Sequence, residues 1–448
     1  MRVDRGITQG QGTPRIIVDV RSVIRRKPPY VGGVNINGHR PVFATNAGGI
    51  NFQGDLRAAH VKLVRTVGYP DDQNPGYDVT HVDRNVAAIR TAGALPLFIQ
   101  YIAPGLPYLR DNGTTGGTVA TNFLALVKHY LGPPHNLSMQ YWEIGNEPDY
   151  TIDYRVTNPT GYTAVFNACH DALVAAGLRD RVVLCGPAVS MPYHWPDPDA
   201  YSSRIIDAVL GRCAHSIDVV TYHQYSAVSS AIDLLNRSSQ LDALEDAAWT
   251  DDPTGYGVAA LRARMDRVTF ARPNVGIGIT EYNTNSAQHQ IASGLWNLAL
   301  THYYLYNPRG RIATAFVFDD YGARGYGYYD AHKRPDYNYW ALWINGNLRG
   351  SHVLAYKNAS PLNDAGRPDL LVTATRESAT VFVEVINRRT MPVVSHVSVV
   401  APSRVGHPML HTMANGVLPR VGRRTRLGHD FTYAFPPLSA SIFAFPLV

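Results

Sequence analysis

Residues 275–283 read VGIGITEYN, a run that is almost continuously apolar and rich in β-branched and aromatic side chains. Seven other runs of the same kind occur along the chain. Strands whose apolar residues are continuous, rather than alternating with polar ones, are typical of a parallel sheet buried on both faces. The eight predicted strands span residues 30–37, 61–67, 95–101, 139–146, 181–187, 217–225, 275–283 and 311–320.

Several segments between these runs have the periodicity of helices. Residues 83–93 and 121–132 carry apolar side chains at helical spacing, and each segment stops at a glycine, which commonly follows the end of a helix. Longer helices are predicted over residues 159–177 and 287–305. Eight strand–helix units over roughly 320 residues fit a (β/α)8 barrel, the TIM barrel of the α/β class.

The sequence changes character after about residue 350. Residues 370–388, 393–402 and 431–447 alternate apolar and polar side chains, which predicts the antiparallel strands of a small β-sandwich. Residues 15–26 alternate in the same way, so this segment is expected to join the sandwich. The predicted domains are an N-terminal strand segment at 1–29, a (β/α)8 barrel at 30–350 and a β-sandwich at 351–448.

The composition of the 448-residue chain argues against several classes of protein. No run reaches about 18 apolar residues, so no transmembrane helix is expected. The first residues, MRVDRGITQGQGTPR, lack the apolar region of a secretory signal, which predicts a cytoplasmic protein or a secreted one whose signal was removed. The three cysteines form no CxxC motif or Cys/His cluster. Buried free thiols are therefore expected, without a disulfide framework or a structural zinc site.

The formal net charge of +6 lies outside the predicted barrel. Residues 1–29 and residues 351–448 each carry a net +5, whereas residues 30–350 carry −4. The basic runs Arg25-Arg26-Lys27 and Arg423-Arg424 are short, and nucleic-acid binding needs clustered basic residues with aromatic partners. They are interpreted as solvated surface, with a weak attraction for acidic polysaccharide as the alternative. No nucleic-acid or membrane partner is expected.

Two glutamates lie at the ends of predicted strands. Glu147 follows the fourth strand in the sequence YWEIGNEPD, and Glu281 lies near the end of the seventh, GIGITEYN. The active site of such a barrel forms at the carboxyl ends of its strands, and the fourth and seventh strands face each other across it. Glycoside hydrolysis uses one carboxylic acid to protonate the leaving oxygen and a second carboxylate to attack the anomeric carbon. The sequence therefore predicts a retaining glycoside hydrolase with a carbohydrate substrate.

The motifs around these glutamates resemble those of clan A of the glycoside hydrolases. Asn146-Glu147-Pro148 matches the clan's Asn-Glu pair after strand 4, and Thr280-Glu281-Tyr282-Asn283 matches its Glu after strand 7. Within the clan the chain is most similar to family 39, which includes β-xylosidases and α-L-iduronidases and builds a sandwich from both termini. The resemblance covers most of the chain and implies a β-xylosidase-like retaining hydrolase that uses no cofactor and no metal.

The resemblance also implies a role for each matching residue. Glu147 is then the acid/base and Glu281 the nucleophile. Arg65 and Tyr225, the latter in the His-x-Tyr run of strand 6, are expected to steady Glu281 and keep it ionised. The other predicted substrate-binding residues are Asn146 at the sugar 2-hydroxyl, His223 beside the sugar or Glu147, Asn283, and Asp319, for which a capping role is the alternative.

Two other side chains near Glu147 are predicted to be structural. Glu143 lies on the same side of its strand as Glu147 and is interpreted as half of an ion pair inside the barrel. Trp142 is expected to pack in the core rather than serve as a platform for a sugar. The structural alternatives for the two glutamates themselves are a helix-start carboxylate for Glu147 and a pair with a barrel arginine for Glu281.

Several alternatives stay open at the level of sequence. Family 39 members carry a His-Gly pair after the strand-2 arginine, whereas Val67 replaces that sugar-contacting histidine in Arg65-Thr66-Val67-Gly68. Family 79, which includes glucuronidases and heparanase, shares the Gly-Asn-Glu-Pro run and the His-x-Tyr strand. A non-catalytic carbohydrate-binding protein and a barrel metallohydrolase are the other classes, although strand 1, GGVNIN, lacks the His-x-His pair of the latter. A transglycosylase uses the same residues as a hydrolase.

Overall fold

The computed structural model describes residues 13–38, 42–68, 80–102, 115–149, 159–190, 201–226, 258–284, 290–320, 326–362, 368–419 and 422–448. These residues form a closed barrel and a separate nine-stranded sheet. The strand nearest the N-terminus, β1 (Arg15–Arg26), belongs to the sheet. The barrel strands are β2 (Tyr30–Asn35), β3 (Leu63–Val67), β4 (Leu95–Gln100), β5 (Gln140–Ile144), β6 (Val182–Val189), β7 (Val219–Ser226), β8 (Gly276–Thr284) and β9 (Gly310–Ala315).

The eight barrel strands are all parallel and follow one another in chain order. Each strand pairs with the next, and β9 pairs with β2 to close the ring. Both faces of these strands are covered, which is why their apolar residues form continuous runs in the sequence. Each of the eight predicted strands is present, and the predicted TIM barrel is confirmed.

The helices of the described part of the chain lie mainly between the barrel strands. Those predicted from periodicity are α2, α3, α4 and α7, although residues 287–289 of the last prediction lie outside the described residues. The others include α1 and α8, whose starts are marked by side-chain caps rather than by a clear apolar repeat. At α1, Asn51 Oδ1 accepts from Gly54 N at 3.0 Å. At α8, Asp336 Oδ1 accepts from Asn338 N at 2.8 Å. The bounds are α1 (Phe52–Ala58), α2 (Thr80–Thr91), α3 (Thr115–Leu131), α4 (Pro159–Ala175), α5 (Tyr201–Arg212), α6 (Val258–Met265), α7 (Ile291–Tyr306) and α8 (Tyr337–Asn347).

The second structure is a mixed sheet with the strand order β15-β14-β17-β12-β11-β10-β1-β13-β16. β1 pairs antiparallel with β10 but parallel with β13, so the arrangement departs from the wholly antiparallel one predicted. Its other strands are β10 (His352–Asn358), β11 (Leu370–Glu377), β12 (Thr380–Asn387), β13 (Val393–Val400), β14 (Met409–Met413), β15 (Arg423–Arg424), β16 (Asp430–Phe435) and β17 (Ser439–Pro446).

This sheet curls until distant strands face each other. β16 is an edge strand and β17 lies near the opposite edge, yet the rings of Phe431 and Phe443 are 5.4 Å apart. Tyr433 of β16 contacts the same phenylalanine, also at 5.4 Å. The two layers enclose a core of apolar side chains from seven of the nine strands, and the predicted C-terminal β-sandwich is confirmed.

The barrel and the sheet share one long helix. All residues of α7 from Ile291 to Leu305 are buried, including the polar residues Asn297 and His302. It contacts β8 and β9 on the barrel and β11 and β17 on the sheet. A β-carbon on Gly294 would lie 2.6 Å from the Tyr337 carbonyl oxygen, so only glycine permits this approach of α7 to α8. No helix of the described residues is long and apolar enough to cross a membrane, and Cys169, Cys185 and Cys213 are buried free thiols, as predicted.

Candidate active site

Glu147 lies just beyond the end of β5, in a backbone conformation that non-glycine residues rarely adopt. Gly145 has a φ of +94° and Glu147 a φ of +45°. A left-handed conformation costs a residue with a β-carbon roughly 1–2 kcal/mol, and such strain often occurs at functional sites. The turn brings Glu147 Oε1 to 2.8 Å from Nδ1 of His223 on β7.

Glu281 lies within β8, next to an irregularity in strand pairing. The register between β7 and β8 passes from Tyr222 opposite Ile279 to His223 opposite Glu281, so Thr280 is an extra residue on β8. A β-bulge of this kind re-aims the side chains beside it. Here it places the Glu281 carboxylate and the His223 ring side by side on neighbouring strands.

The backbone carbonyl groups at these irregularities take part in the site. The Thr280 carbonyl accepts from Asn35 Nδ2 at 2.8 Å and from Thr314 Oγ1 at 2.6 Å. Ala188 is the extra residue of a similar bulge in β6, and its carbonyl accepts from Glu147 N at 2.8 Å. The bulges therefore fix the backbone beside both glutamates.

Arg65 on β3 joins the polar side chains of the barrel mouth. Its side chain is 1% exposed. Nε donates to Glu143 Oε2 at 2.6 Å, and Nη1 donates to Glu281 Oε1 at 2.6 Å. Nη1 also donates to Asn35 Oδ1 at 2.9 Å, and Nη2 to Asn146 Oδ1 at 2.7 Å. A guanidinium suits this position because its donors form a rigid planar fork, and the ion pair predicted for Glu143 is present.

The surroundings of Glu281 favour its charged form. Its second oxygen, Oε2, accepts from the Tyr225 hydroxyl at 2.8 Å and lies 3.6 Å from His223 Nδ1. Burial by itself raises the pKa of a carboxyl group, but His223, Arg65 and Tyr225 together lower the pKa of Glu281 below its ordinary value. Glu281 is therefore an ionised carboxylate at neutral pH.

His223 links the two glutamates. The residue is completely buried, which disfavours its charged ring, yet the Glu281 carboxylate and the hydrogen bond to Glu147 raise its pKa above the ordinary value. One carboxylate oxygen of Glu147, one of Glu281 and a ring nitrogen of His223 all lie within 4.8 Å of one another. The site therefore places two carboxylates close together with a histidine between them.

These three side chains also have the composition of a metal site, but their surroundings disfavour a cation. The Arg65 guanidinium already holds Glu281, and its Nη2 lies 3.5 Å from His223 Nε2. A metal ion among these ligands would meet that fixed positive charge at close range. The geometry favours an ion-paired carboxylate over a metal ligand.

The two glutamates differ in exposure. The Glu147 side chain is 22% exposed, whereas that of Glu281 is 11% exposed. Asp149, two residues after Glu147, accepts from Ser190 N at 2.9 Å and Ser190 Oγ at 2.7 Å. Burial, together with the nearby Glu147, raises the pKa of Asp149. Of the two glutamates, Glu147 is therefore the more open to solvent, and Asp149 beside it is held by Ser190.

Asn283 lies apart from most of the other predicted site residues. The structure brings these together near the two glutamates: Arg65, Asn146, Glu147, His223, Tyr225 and Glu281. Asn283 Nδ2 donates to the carbonyl groups of Phe316 and Tyr326, and its Oδ1 accepts from Thr284 N. Asn283 is completely buried. These contacts tie β8 to the segment after β9, in place of the sugar contact predicted from the motif.

Asp319 also lies apart from these contacts. Its Oδ1 accepts from Asn37 N at 2.7 Å, just beyond the end of β2. Its Oδ2 is buried and forms no hydrogen bond among the described residues. Burial raises the pKa of Asp319 to about 7. The contact with Asn37 matches the capping alternative that the sequence left open.

Val67 and Trp142 are core residues. Val67 is 3% exposed on β3, and its aliphatic side chain offers no hydrogen bond where family 39 members carry a histidine. The Trp142 ring stacks on Phe98 with a centroid distance of 4.6 Å, so the prediction that it packs in the core is confirmed. Both side chains therefore belong to the apolar core.

Sequence reasoning missed some residues of the site. Asn35 contacts Arg65 and donates to the Thr280 carbonyl. The feature of the sequence that could have indicated Asn35 is that it is a polar residue at the end of the apolar strand GGVN. Phe316 and Tyr326 pack against the ring of Tyr225, at centroid distances of 6.2 and 5.7 Å. These two aromatic residues lie beyond the predicted motifs, and only the closed barrel brings them to Tyr225.

Known structures show which proteins share this fold. The α-L-arabinofuranosidase from Thermotoga maritima, solved as an arabinose complex, matches with a TM-score of 0.70 and 16% identity, covering 97% of this chain and all of that one. A monomeric β-xylosidase from Caulobacter crescentus matches with a TM-score of 0.65 and 13% identity, covering 97% and 99%. The glycoside hydrolase family 39 enzyme from Xanthomonas axonopodis pv. citri matches with a TM-score of 0.64 and 14% identity, covering 100% of both chains.

Sequence comparison gives no closer relationship. No protein-family model matches the chain, and no curated protein matches it in sequence. At 13–16% identity the structural likeness concerns the fold. The predicted resemblance to clan A hydrolases, family 39 among them, is confirmed at that level: the fold matches theirs over 97–100% of the chain.

Proposed function

We propose that the chain is a retaining glycoside hydrolase in which Glu281 is the nucleophile and Glu147 the acid/base. The observation that carries this proposal is the closeness of the two carboxylates, whose oxygens approach within 4.8 Å. Retaining enzymes separate their carboxyl groups by about 5–5.5 Å, whereas inverting enzymes need about 6.5–9.5 Å to admit a water. The short separation favours double displacement.

The two roles follow from the two environments. Glu281 is held as an anion by Arg65 and Tyr225, so one of its oxygens attacks the anomeric carbon while the bond to the leaving oxygen breaks. Glu147, the more exposed of the pair, gives its proton to that leaving oxygen. In the second step Glu147 takes a proton from water. The water oxygen then attacks the anomeric carbon, and the bond to Glu281 breaks.

Three neighbouring side chains act as positioning residues in this mechanism. Tyr225 and Arg65 fix both oxygens of Glu281. Asn146 Oδ1 accepts from Arg65 Nη2 at 2.7 Å, which orients the amide and leaves Nδ2 as its donor toward the sugar. A hydrogen bond to the 2-hydroxyl that strengthens in the transition state supplies several kcal/mol to such reactions.

The glycone is a further part of the proposal. A β-xylosidase-like activity on pentosides is the first choice, because a β-xylosidase and an α-L-arabinofuranosidase share the whole fold. A uronic acid, as in a family 79-like β-glucuronidase, needs a cation for its carboxylate. Within the described part of the site the candidates are Arg65, which Glu143 and Glu281 already occupy, and His223, which Glu147 and Glu281 occupy. A neutral sugar therefore fits the described residues better.

A panel of aryl glycosides with NMR detection of the first-formed product anomer tests the proposal. It should include xylosides, arabinosides, galactosides, glucosides and glucuronides of both anomeric configurations. Turnover of at least one pentoside with retention is the expected result. Inversion would refute double displacement. Sugar binding without turnover across the whole panel would favour the non-catalytic carbohydrate-binding protein.

A further inference from the structure

A second group of metal-ligating side chains lies in the helical layer, outside the barrel mouth. Asp83 is on α2, His129 is on α3, and His135 is in the segment between α3 and β5. Asp83 Oδ1 lies 2.9 Å from His129 Nε2 and 3.1 Å from His135 Nε2. The three ligand atoms all lie within 4.8 Å of one another. Two imidazoles and a carboxylate thus converge on one point.

The His135 ring has an unusual environment. Its side chain is 4% exposed, and Nε2 is buried without a hydrogen bond, although Asp83 Oδ1 is only 3.1 Å away. The nitrogen is close to the oxygen but does not form a well-aligned hydrogen bond with it. A nitrogen and an oxygen that share a metal ion have this relation, because each points at the ion rather than at the other.

We propose that Asp83, His129 and His135 form a zinc site. Zinc takes His nitrogen at about 2.0–2.1 Å and carboxylate oxygen at about 2.0–2.2 Å, which places tetrahedral ligand atoms about 3.3 Å apart. The distances of 2.9 and 3.1 Å are close to that spacing. Asp83 is 28% and His129 33% exposed, so a water molecule can reach the fourth position from solvent.

Neighbouring groups hold the ligands in place. The Tyr130 ring lies 5.1 Å from the His135 ring, and Arg90 Nη1 donates to the His135 carbonyl. Such outer contacts orient metal-binding histidines and are part of a working site.

No motif in the sequence predicts this site, because zinc prediction depends on short cysteine and histidine spacings. Here the nearest ligands, His129 and His135, are six positions apart, and Asp83 lies 46 positions before His129. A bound ion would join α2, α3 and the segment that enters β5. It would stabilise the folded chain by mass action, since an unfolded chain does not bring the three ligands together.

The test is a zinc titration of the metal-free full-length protein, followed by competition with a chromophoric chelator and by thermal unfolding. One equivalent should bind, and zinc should raise the melting temperature. His129→Gln, His135→Gln and Asp83→Asn should each weaken binding at least 100-fold and remove the zinc-dependent shift. His215→Ala is the matched control, because it changes the exposed group of His170, Asp171 and His215 instead, and it should keep both effects.

Two results would overturn the proposal. The first is the absence of a stoichiometric zinc equivalent in the wild-type protein, and the second is binding that all three variants retain. Because a variant of buried His135 can fail to fold, a zinc-edge anomalous map of wild-type crystals grown with zinc gives an independent answer. The ion should lie within bonding distance of all three side chains. A map with the ion elsewhere, or with none, contradicts the site.

Discussion

Two regions of the molecule bury ionisable groups and treat them in opposite ways. In the barrel mouth Glu281 is buried but keeps a pKa below its ordinary value, because Arg65, His223 and Tyr225 surround it. Where α7 meets the sheet, Glu384 is equally buried, and burial raises its pKa to about 7. His302 lies in the same region, and burial lowers its pKa to about 3. Its ring is therefore uncharged at neutral pH.

The difference shows what keeps a buried group charged. Around Glu384 and His302 the described hydrogen-bond partners are neutral, for example Thr373 Oγ1 at 2.9 Å from His302 Nδ1. Around Glu281 they are a guanidinium and a hydroxyl, at 2.6 and 2.8 Å. A buried ion pair is weak evidence for a gain in stability, because desolvation offsets the attraction. The charged cluster is therefore better explained by chemistry at the barrel mouth than by stability.

Among the variants that test this comparison, Glu281→Gln should have the largest effect on activity. The variant keeps the shape of the side chain and removes the anion, so hydrolysis of the best aryl glycoside should fall about 10⁴- to 10⁶-fold in kcat. Glu384→Gln is the matched control, since it makes the same change at a buried carboxylate outside the site, and it should keep wild-type kcat. Equal activity in the two variants would remove Glu281 from the mechanism.

Removing the Arg65 guanidinium should have the next largest effect. Arg65→Met breaks the buried ion pairs with Glu143 and Glu281, while His223 stays beside Glu281. Breaking such buried pairs costs about 3–5 kcal/mol in the free energy of unfolding. The pKa of Glu281 then rises above that of the unfolded chain. The penalty is therefore complete above the raised pKa and shrinks as pH falls toward about 4.3.

Urea unfolding at pH 7 and pH 5 measures this penalty. The loss should be larger at pH 7, and adding Glu143→Gln to Arg65→Met should recover part of it. A loss that is the same at both pH values would mean that Arg65 matters only through packing.

Removing the Tyr225 hydroxyl should have a smaller effect. Tyr225→Phe deletes one hydrogen bond to the charged Glu281, worth about 1.5–3 kcal/mol, so kcat/KM should fall about 10- to 100-fold. Because that hydrogen bond lowers the pKa of Glu281, the acidic limb of the pH–rate profile should move to higher pH. Tyr222→Phe on the same strand, whose hydroxyl bonds Tyr304, should not move that limb. An unmoved limb in Tyr225→Phe would contradict the positioning role.

Glu384→Gln should have the smallest effect on catalysis, but it should stabilise the folded chain. The pKa of Glu384 is about 7 in the folded chain and about 4.3 in the unfolded one. The unfolded chain therefore loses its proton first, and wild-type stability falls as pH rises from about 4 to 7. Each unit of pKa difference corresponds to about 1.4 kcal/mol. The variant should melt at a higher temperature than wild type at pH 8 and at the same temperature at pH 4, and a lower melting temperature at pH 8 would contradict it.

Local patterns in the sequence were enough to predict the barrel and the sandwich. Continuous apolar runs gave all eight barrel strands, and the alternation in residues 15–26 gave β1. The strand ends gave Glu147, Glu281 and their nearest partners as candidates. The domain limits at residues 29 and 350, and the roles assigned to the site residues, stay predictions.

Features that depend on strand register could not be predicted from the sequence. Nothing in GIGITEYN shows that Thr280 is an extra residue, because a bulge exists only relative to the neighbouring strand. The motif likewise suggested that Asn283 contacts the sugar, whereas the folded chain turns its amide to the Phe316 and Tyr326 carbonyls. The convergence of Asp83, His129 and His135 also depends on helix packing rather than on spacing.

The central claim is that Glu281 forms the covalent bond to the sugar, and trapping that bond tests it most directly. A 2-fluoro glycoside with a good leaving group, chosen from the sugar that the panel identifies, slows the release of the glycosyl-enzyme intermediate. Peptide mass spectrometry should then find one added glycosyl group on Glu281. A label on Glu147 or another residue, or an inverted product without any label, would contradict the account.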